Sequence, residues 1–404
     1  MRPDPHTPKR LEIGVLYGFR ALMVLFVANF HLWQQSWVPQ YITLFGHVIS
    51  LDFWTRSSYV FVDGMILLSG FLLYLPFARQ PLEGTPVPRT GEFYFRRAAR
   101  ILPSYLFAVL AALVLIAVPQ GLYGNAGRMA HDVAAHLTFT FLFWPETYIA
   151  TPLNVSLWTI AVEMQFYLIF PLLARWMQKR PALTAGGMML AGWAYRLWAA
   201  CCGMDTSMLL NQLPAFLDVY ALGFLGAMAY VRIRLKMQQA DRNMCLAAGG
   251  LTAGLFALGL VVLTELLKVQ SASGAQGYEM LRLSQMAIRL PLAVTLLVMM
   301  LSAAFWPKLL QKLLDNRLTR FLSVISFNLY IWHQVLAVEM RKAWFSDFEK
   351  LHADPKLQWA YMTLSAAVAV LAAMVMTYGL EQPAARWADR LRRACQKQKK
   401  TPVH

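Results

Sequence analysis

Apolar runs near 20 residues long, separated by short polar stretches, recur along the whole chain. A helix rising 1.5 Å per residue needs about 20 residues to cross about 30 Å of hydrocarbon, so each run predicts a membrane-spanning helix. The runs lie at residues 14–36, 57–78, 98–118, 153–177, 183–201, 214–231, 243–264, 284–305, 321–341 and 358–380. The fold class they predict is all-α: a polytopic integral membrane helical bundle of about ten transmembrane helices. Residues 128–145 carry a further apolar run (Leu137, Phe139, Phe141, Leu142, Phe143, Trp144) that is too short to cross. It is expected to lie at the interface or to re-enter the bilayer.

Charge tests the pairing of these spans, because cytoplasmic loops of membrane proteins gather Lys and Arg. With the N-terminus inside, the inner segments hold about 26 of the 37 basic residues and the outer loops about 8. Both termini are therefore expected to be cytoplasmic, in a multi-pass membrane protein. Only 14% of residues are charged and 58% are hydrophobic, against about 25% charged in soluble domains. The net charge of +16 then follows from topology. Basic residues scattered over short loops, without a nucleic-acid motif, do not read as a nucleic-acid surface.

Lys9 and Arg10 precede an apolar run as in a secretory signal, but Arg20 interrupts that run and no small-residue cleavage site follows. A retained first span is expected. Residues 1–390 read as a single transmembrane domain and 391–404 as a basic cytoplasmic tail, with 386–400 suited to anionic lipid headgroups. Cys201, Cys202, Cys245 and Cys395 have neither metal-ligand spacing nor a disulfide framework, so no metal is expected. No internal repeat is present.

Function is sought among polar residues inside the bilayer, where an ionisable side chain costs at least about 2.5 kcal/mol. These are Arg20 and His31 in the first span, Asp63, Glu163, Arg196, Asp218, Arg289 and His333. Arg20 and His31, eleven residues apart, share one helix face about 16 Å apart along the axis. A long phosphate-bearing molecule entering from the cytoplasm could anchor at the first and react near the second; a snorkelling Arg and a hydrogen-bonded His are the plainer alternative. Asp63 lies at a depth similar to that of His31 and could orient its imidazole; a structural ion pair with Arg289 is the alternative. Ser69 and Gly70 would admit a narrow ligand or merely a close helix. Arg97 and Arg100 stand at i, i+3 spacing at the mouth of the third span, able to grip phosphates or to act as ordinary interfacial anchors.

The fourth span opens Asn154-Val155-Ser156-Leu157-Trp158 and continues to Glu163, Gln165 and Tyr167, and the ninth contains Ser326-Phe327-Asn328-Leu329-Tyr330-Ile331-Trp332-His333. With Arg20 to His31, Val62-Asp63 to Ser69-Gly70-Phe71, Arg97 to Tyr105 and Leu380-Glu381-Gln382-Pro383, these ordered segments resemble the membrane acyltransferase 3 family. The resemblance implies a ten-helix O-acyltransferase that moves an acyl group, usually acetyl, from cytoplasmic acyl-CoA to a hydroxyl of a cell-envelope carbohydrate or glycolipid. By it, His31 is the essential histidine, Arg20 is the basic residue eleven positions before it, Arg97 and Arg100 form the Arg-x-x-Arg, and Ser69-Gly70-Phe71 is the Ser-Gly-Phe. Two departures stand out: Ala161-Val162-Glu163-Met164-Gln165 replaces Ser-Val-Glu-Glu-Gln, and Gly64-Met65-Ile66 follows Asp63 where Phe-Phe is usual.

The mechanism expected from these assignments has Arg20, Arg97 and Arg100 holding the phosphates of acetyl-CoA or another acyl-CoA, beside Ser69 and Gly70. His31, oriented by Asp63 or Glu163, serves as general base, with His333 or Asn328 at the oxyanion. An acyl-histidine intermediate is the rival route, and a homo-oligomer is left open. A different class, a secondary transporter of an anionic or sugar-linked substrate, would also place Arg and carboxylates at mid-membrane. Transporters of that kind tend to show paired repeats, which this chain lacks.

Overall fold

The computed structural model describes residues 11–202 and 206–398. Lys9 and Arg10, residues 399–404 of the tail and the side chain of Cys395 lie outside the described residues. Among the described residues nine helical segments are long and apolar enough to cross a membrane: Val15–Ser36, Asp52–Glu83, Thr90–Ala117, Val155–Lys179, Leu213–Met237, Arg242–Gly274, Tyr278–Ala304, Arg317–Trp344 and Pro355–Arg392. The span placed at 183–201 is also helical, over Pro181–Cys201. It falls short on apolarity because its sequence mixes glycines, Thr184 and Arg196 among the apolar residues.

The helices used below are α1 (Val15–Ser36), α2 (Phe61–Glu83), α3 (Thr90–Ala112), α4 (Ala126–Leu137), α5 (Trp158–Lys179), α6 (Pro181–Cys201), α7 (Leu217–Met237), α8 (Arg242–Gly274), α9 (Tyr278–Ala304), α10 (Arg317–Trp344), α11 (Pro355–Met376) and α12 (Gln382–Gln398). Where the pattern predicts only a loop after α1, a hairpin forms from β1 (Tyr41–Leu44) and β2 (His47–Ser50). Its two-residue turn, Phe45-Gly46, has both φ angles positive, at 50° and 81°, the geometry that matches strand twist in a tight hairpin.

The chain folds as two compact units, Met1–Val27 with Gln40–Val87 and Phe170–Ser323, and Ala28–Pro39 with Pro88–Ile169 and Val324–His404. The first unit is built on the crossing of α2 and α7. A Cβ at Gly223 would lie 2.7 Å from both Leu67 O and Phe71 N, and one at Gly70 would lie 3.1 Å from Tyr220 O. Glycine here lets two backbones touch, as membrane helices do in the absence of a hydrophobic drive between them. Tyr74 and Phe224 stack beside the crossing, 4.6 Å between centroids. Helices α8 and α9 form an antiparallel pair joined at its turn by Gln270, whose amide donates to Leu281 O at 2.9 Å and to the Tyr59 hydroxyl at 2.6 Å.

The second unit gathers the end of α1, α3, α4, the start of α5, α10 from residue 324, α11 and α12. Side chains that cap one helix hold the next. Gln358 donates to Ser36 O at 2.8 Å, Tyr361 to Ala337 O at 2.9 Å and Asn154 to Ile331 O at 2.6 Å. Helix α11 passes into α12 through a π turn, Thr377–Glu381. The boundary expected at residue 390 falls inside α12, where Arg392 pairs with Glu92 of α3.

Candidate active site

The second unit places His31 beside His333. Their ring centroids are 5.1 Å apart, and Gln34, one turn on, shares a side-chain hydrogen bond with His31. His333 is 1% exposed, and its Nδ1 lies 2.7 Å from Tyr330 O and 3.1 Å from Leu329 O. Carbonyl oxygens only accept, so Nδ1 carries the proton and Nε2 bears the lone pair. Nε2 of His333 and Nδ1 of His31 are both buried without a hydrogen-bond partner among the described residues. Leaving such groups unsatisfied costs about 1–3 kcal/mol each.

Two motifs of the sequence meet at this height. Asn154 clamps the Ile331 carbonyl while its Oδ1 accepts from Ser156 N at 3.1 Å and Ser156 Oγ at 2.6 Å. One side chain thus caps the start of α5 and ties it to α10 two residues before His333. Asn328, a turn and a half earlier on α10, donates to Thr377 Oγ1 at 3.0 Å and Glu381 Oε2 at 2.8 Å. Its amide is thereby turned to the π turn of α11, where π geometry commonly marks a functional position.

Arg97 and Arg100 meet different partners although they share a helix face. Arg97 lies over the rings of Phe93, at 5.7 Å, and Tyr167, at 5.5 Å. Arg100 is exposed and stands 3.9 Å from Glu381. Tyr167 in turn hydrogen-bonds Glu163, so Glu163 belongs with the arginines. Within its unit no carboxylate hydrogen-bonds His31 among the described residues; Phe30, Gln34 and His333 are its neighbours.

Asp63 takes the alternative left open for it. Arg289 Nε donates to Asp63 Oδ2 at 3.0 Å, both side chains being buried, and the guanidinium lies 3.9 Å from the Phe216 ring centroid. In the same unit Arg196 grips Asp218 bidentately, at 2.8 and 2.5 Å. Both arginines also donate to one carbonyl, that of Ala215, at 2.8 Å from Arg196 and 3.3 Å from Arg289. Leu210 O receives Arg289 as well, at 3.0 Å. The interrupted helix at 206–216 thus has its loose carbonyls met by side chains, the condition for irregular backbone inside a bilayer. Gly70 serves the α2–α7 crossing, and Ser69 and Arg20 lie half-buried in this unit, on α2 and α1.

Residues 126–148 pack against α3 and α5. Tyr105 of α3 donates to His136 O at 2.8 Å, and Gln165 of α5 donates to Phe139 O at 2.9 Å. Phe139 forms the tip, with φ at 58°, a conformation that costs a non-glycine residue about 1–2 kcal/mol. The segment contains a pair that the motifs did not single out. Asp132 Oδ2 accepts from the Tyr123 and Thr151 hydroxyls, each at 2.7 Å, and Oδ1 lies 3.1 Å from His136 Nδ1. Burial, and then the bond to Asp132, push the Tyr123 phenol well above its ordinary range, so it stays a donor. The legible signal was an Asp and a His at i, i+4 in a segment too short to span.

A family model described as an acyltransferase domain, that of acyltransferase 3, matches residues 15–378. Among curated proteins, the chain is 27% identical over 177 residues to "Putative O-acetyltransferase SACOL0978" of Staphylococcus aureus strain COL, covering 41% of this chain and 25% of that protein. It is 25% identical over 175 residues to O-acetyltransferase OatA of Staphylococcus aureus strain NCTC 8325, again 41% of this chain and 25% of the relative. The chain thus spans about a quarter of the length of the curated relatives it matches. No solved structure matches it.

Proposed function

Since the chain belongs to the acyltransferase 3 family, we propose that it transfers an acyl group, acetyl in the first instance, from cytoplasmic acyl-CoA to a hydroxyl of an envelope carbohydrate or glycolipid. The membrane concerned is the bacterial inner membrane, with both termini on the cytoplasmic side. The observation that carries this reading is the His31–His333 pair, two adjacent imidazoles each with a ring nitrogen that has no hydrogen-bond partner among the described residues.

The phosphates of the donor meet Arg97 and Arg100 at the start of α3. Arg97, backed by two aromatic faces, presents a fixed fork rather than a mobile charge. Asn154 lies thirteen residues before Tyr167, the ring on which Arg97 rests, so the imidazole pair stands about 20 Å from the level of the arginines. The donor's arm would cover that distance to bring its thioester to His31. An unassisted hydroxyl is a poor nucleophile near neutral pH. His31 removes its proton as the oxygen attacks the carbonyl; the carbon–sulfur bond breaks, sulfur leaves with the bonding pair, and the proton passes from His31 to the thiolate. His333, whose Nδ1 proton is held by backbone, keeps Nε2 as an acceptor in the ring beside His31.

Purified full-length protein in lipid nanodiscs should release free thiol from acetyl-CoA when an envelope-glycan extract is supplied. His31→Ala should abolish release while the protein still accumulates and elutes as wild type. Undiminished turnover in that variant would remove His31 from the mechanism.

A further inference from the structure

The 126–148 segment holds a buried acceptor that the reaction above does not use. His136 is 0% exposed and stacked on Phe141, 4.0 Å between centroids and 4° from parallel. Its Nδ1 stands 2.9 Å from Asp132 O and 3.1 Å from Asp132 Oδ1. The carbonyl accepts, so Nδ1 bears the proton and Nε2 is left with a lone pair, while Asp132 Oδ1 takes no hydrogen bond among the described residues. Nε2 is buried with no partner among the described residues. Asp132 is itself fixed by Tyr123 and Thr151, and the ring can neither turn nor change tautomer without breaking that set.

Position gives this nitrogen a task. Tyr105, eight residues or about 12 Å beyond Arg97 on α3, anchors the His136 carbonyl, and Gln165, two residues from Tyr167, anchors Phe139. His136 therefore lies between the level of Arg97 and that of the imidazole pair, all in one unit. A CoA donor bound by its phosphates at the arginines and reacting at His31 must lay its pantetheine arm along this interval. The arm carries secondary amides whose N–H groups need acceptors once they leave water.

We propose that His136, positioned by Asp132, is a binding residue for the pantetheine arm of the donor, its Nε2 accepting an amide N–H. The assignment rests on the acyl-CoA reading above and adds a donor subsite to it. The Asp132 backbone carbonyl holds Nδ1 protonated so that Nε2 accepts. Tyr123 and Thr151 keep the carboxylate in place.

The test measures binding of CoA and of adenosine 3′,5′-bisphosphate, the nucleotide half without the arm, to the full chain in nanodiscs by calorimetry. His136→Phe keeps a ring to stack on Phe141 and deletes the acceptor. It should weaken CoA about tenfold, the value of one neutral hydrogen bond, and leave the bisphosphate unchanged. His136→Gln, which returns a carbonyl acceptor, should recover part of the loss. Equal affinities in wild type and His136→Phe, or equal losses for both probes, would overturn the assignment. If His136→Phe does not fold, His136→Leu decides by the same comparison. Wild type that binds neither probe sinks the acyl-CoA reading and this subsite with it; wild type that binds both while the variants bind CoA normally sinks the subsite alone.

Discussion

His333 fixes its own tautomer through the carbonyls of Leu329 and Tyr330 and sets an unprotonated Nε2 in the ring beside His31. Under the proposed mechanism this acceptor stands beside the base. His333→Phe keeps the bulk and removes the acceptor. Turnover of acetyl-CoA should fall about 10- to 100-fold with KM within a factor of about two. An unchanged kcat would reduce His333 to packing.

The Arg289–Asp63 pair is buried on both sides, so removing one partner should cost more than removing both. Arg289→Leu leaves a buried carboxylate and should lower stability by about 3–5 kcal/mol. The double variant Asp63→Leu, Arg289→Leu should recover most of that loss. Thermal unfolding in detergent reads both, and equal melting temperatures for the single and double variants would contradict the pairing.

Gly223 has no room for a side chain, whereas Gly186 has nothing within 4 Å of its would-be Cβ. Gly223→Ala should therefore destabilise by about 1–3 kcal/mol through forced separation of α2 and α7, and Gly186→Ala should be neutral or mildly stabilising. Yield of monodisperse protein and its melting temperature check the contrast.

Arg97 rests on aromatic faces while Arg100 stands exposed near Glu381. Arg97→Lys keeps the charge but loses the planar fork, and should raise the KM for acetyl-CoA about tenfold with little change in kcat. Arg100→Lys should do less. Equal, small effects at the two positions would mean that neither fork binds phosphate in this way.

The proposed topology puts the β1–β2 turn outside. Phe45 is 93% exposed, so Phe45→Cys on a background with the native cysteines replaced by serine should react with a membrane-impermeant maleimide in intact cells. Labelling only after lysis would invert the topology.

The number and order of the helices were legible in the sequence because lipid imposes a length and an apolarity on every crossing. The span at 183–201 shows where that rule weakens: α6 carries Arg196, whose burial is explained by its partners Asp218 and the Ala215 carbonyl. Which charges pair was not legible in the same way. Asp63 could face His31 or Arg289 at similar depth, and the choice depends on rotation about helix axes, which the hydrophobic pattern leaves open. The roles of Asn154 and Asn328 needed the register between α5, α10 and α11. Asp132 and His136 escaped notice for a further reason: they lie in a segment whose chemistry is polar and whose depth is set by Tyr105 and Gln165 rather than by its own length.

The Ala215 carbonyl receives two guanidinium groups, one from α6 and one from α9, whose carboxylate partners sit on α7 and α2. One backbone oxygen is thus common to four helices. A shift of 213–216 large enough to free one arginine loosens the other, so these helices yield together or hold together, and damage at either ion pair should be felt at both.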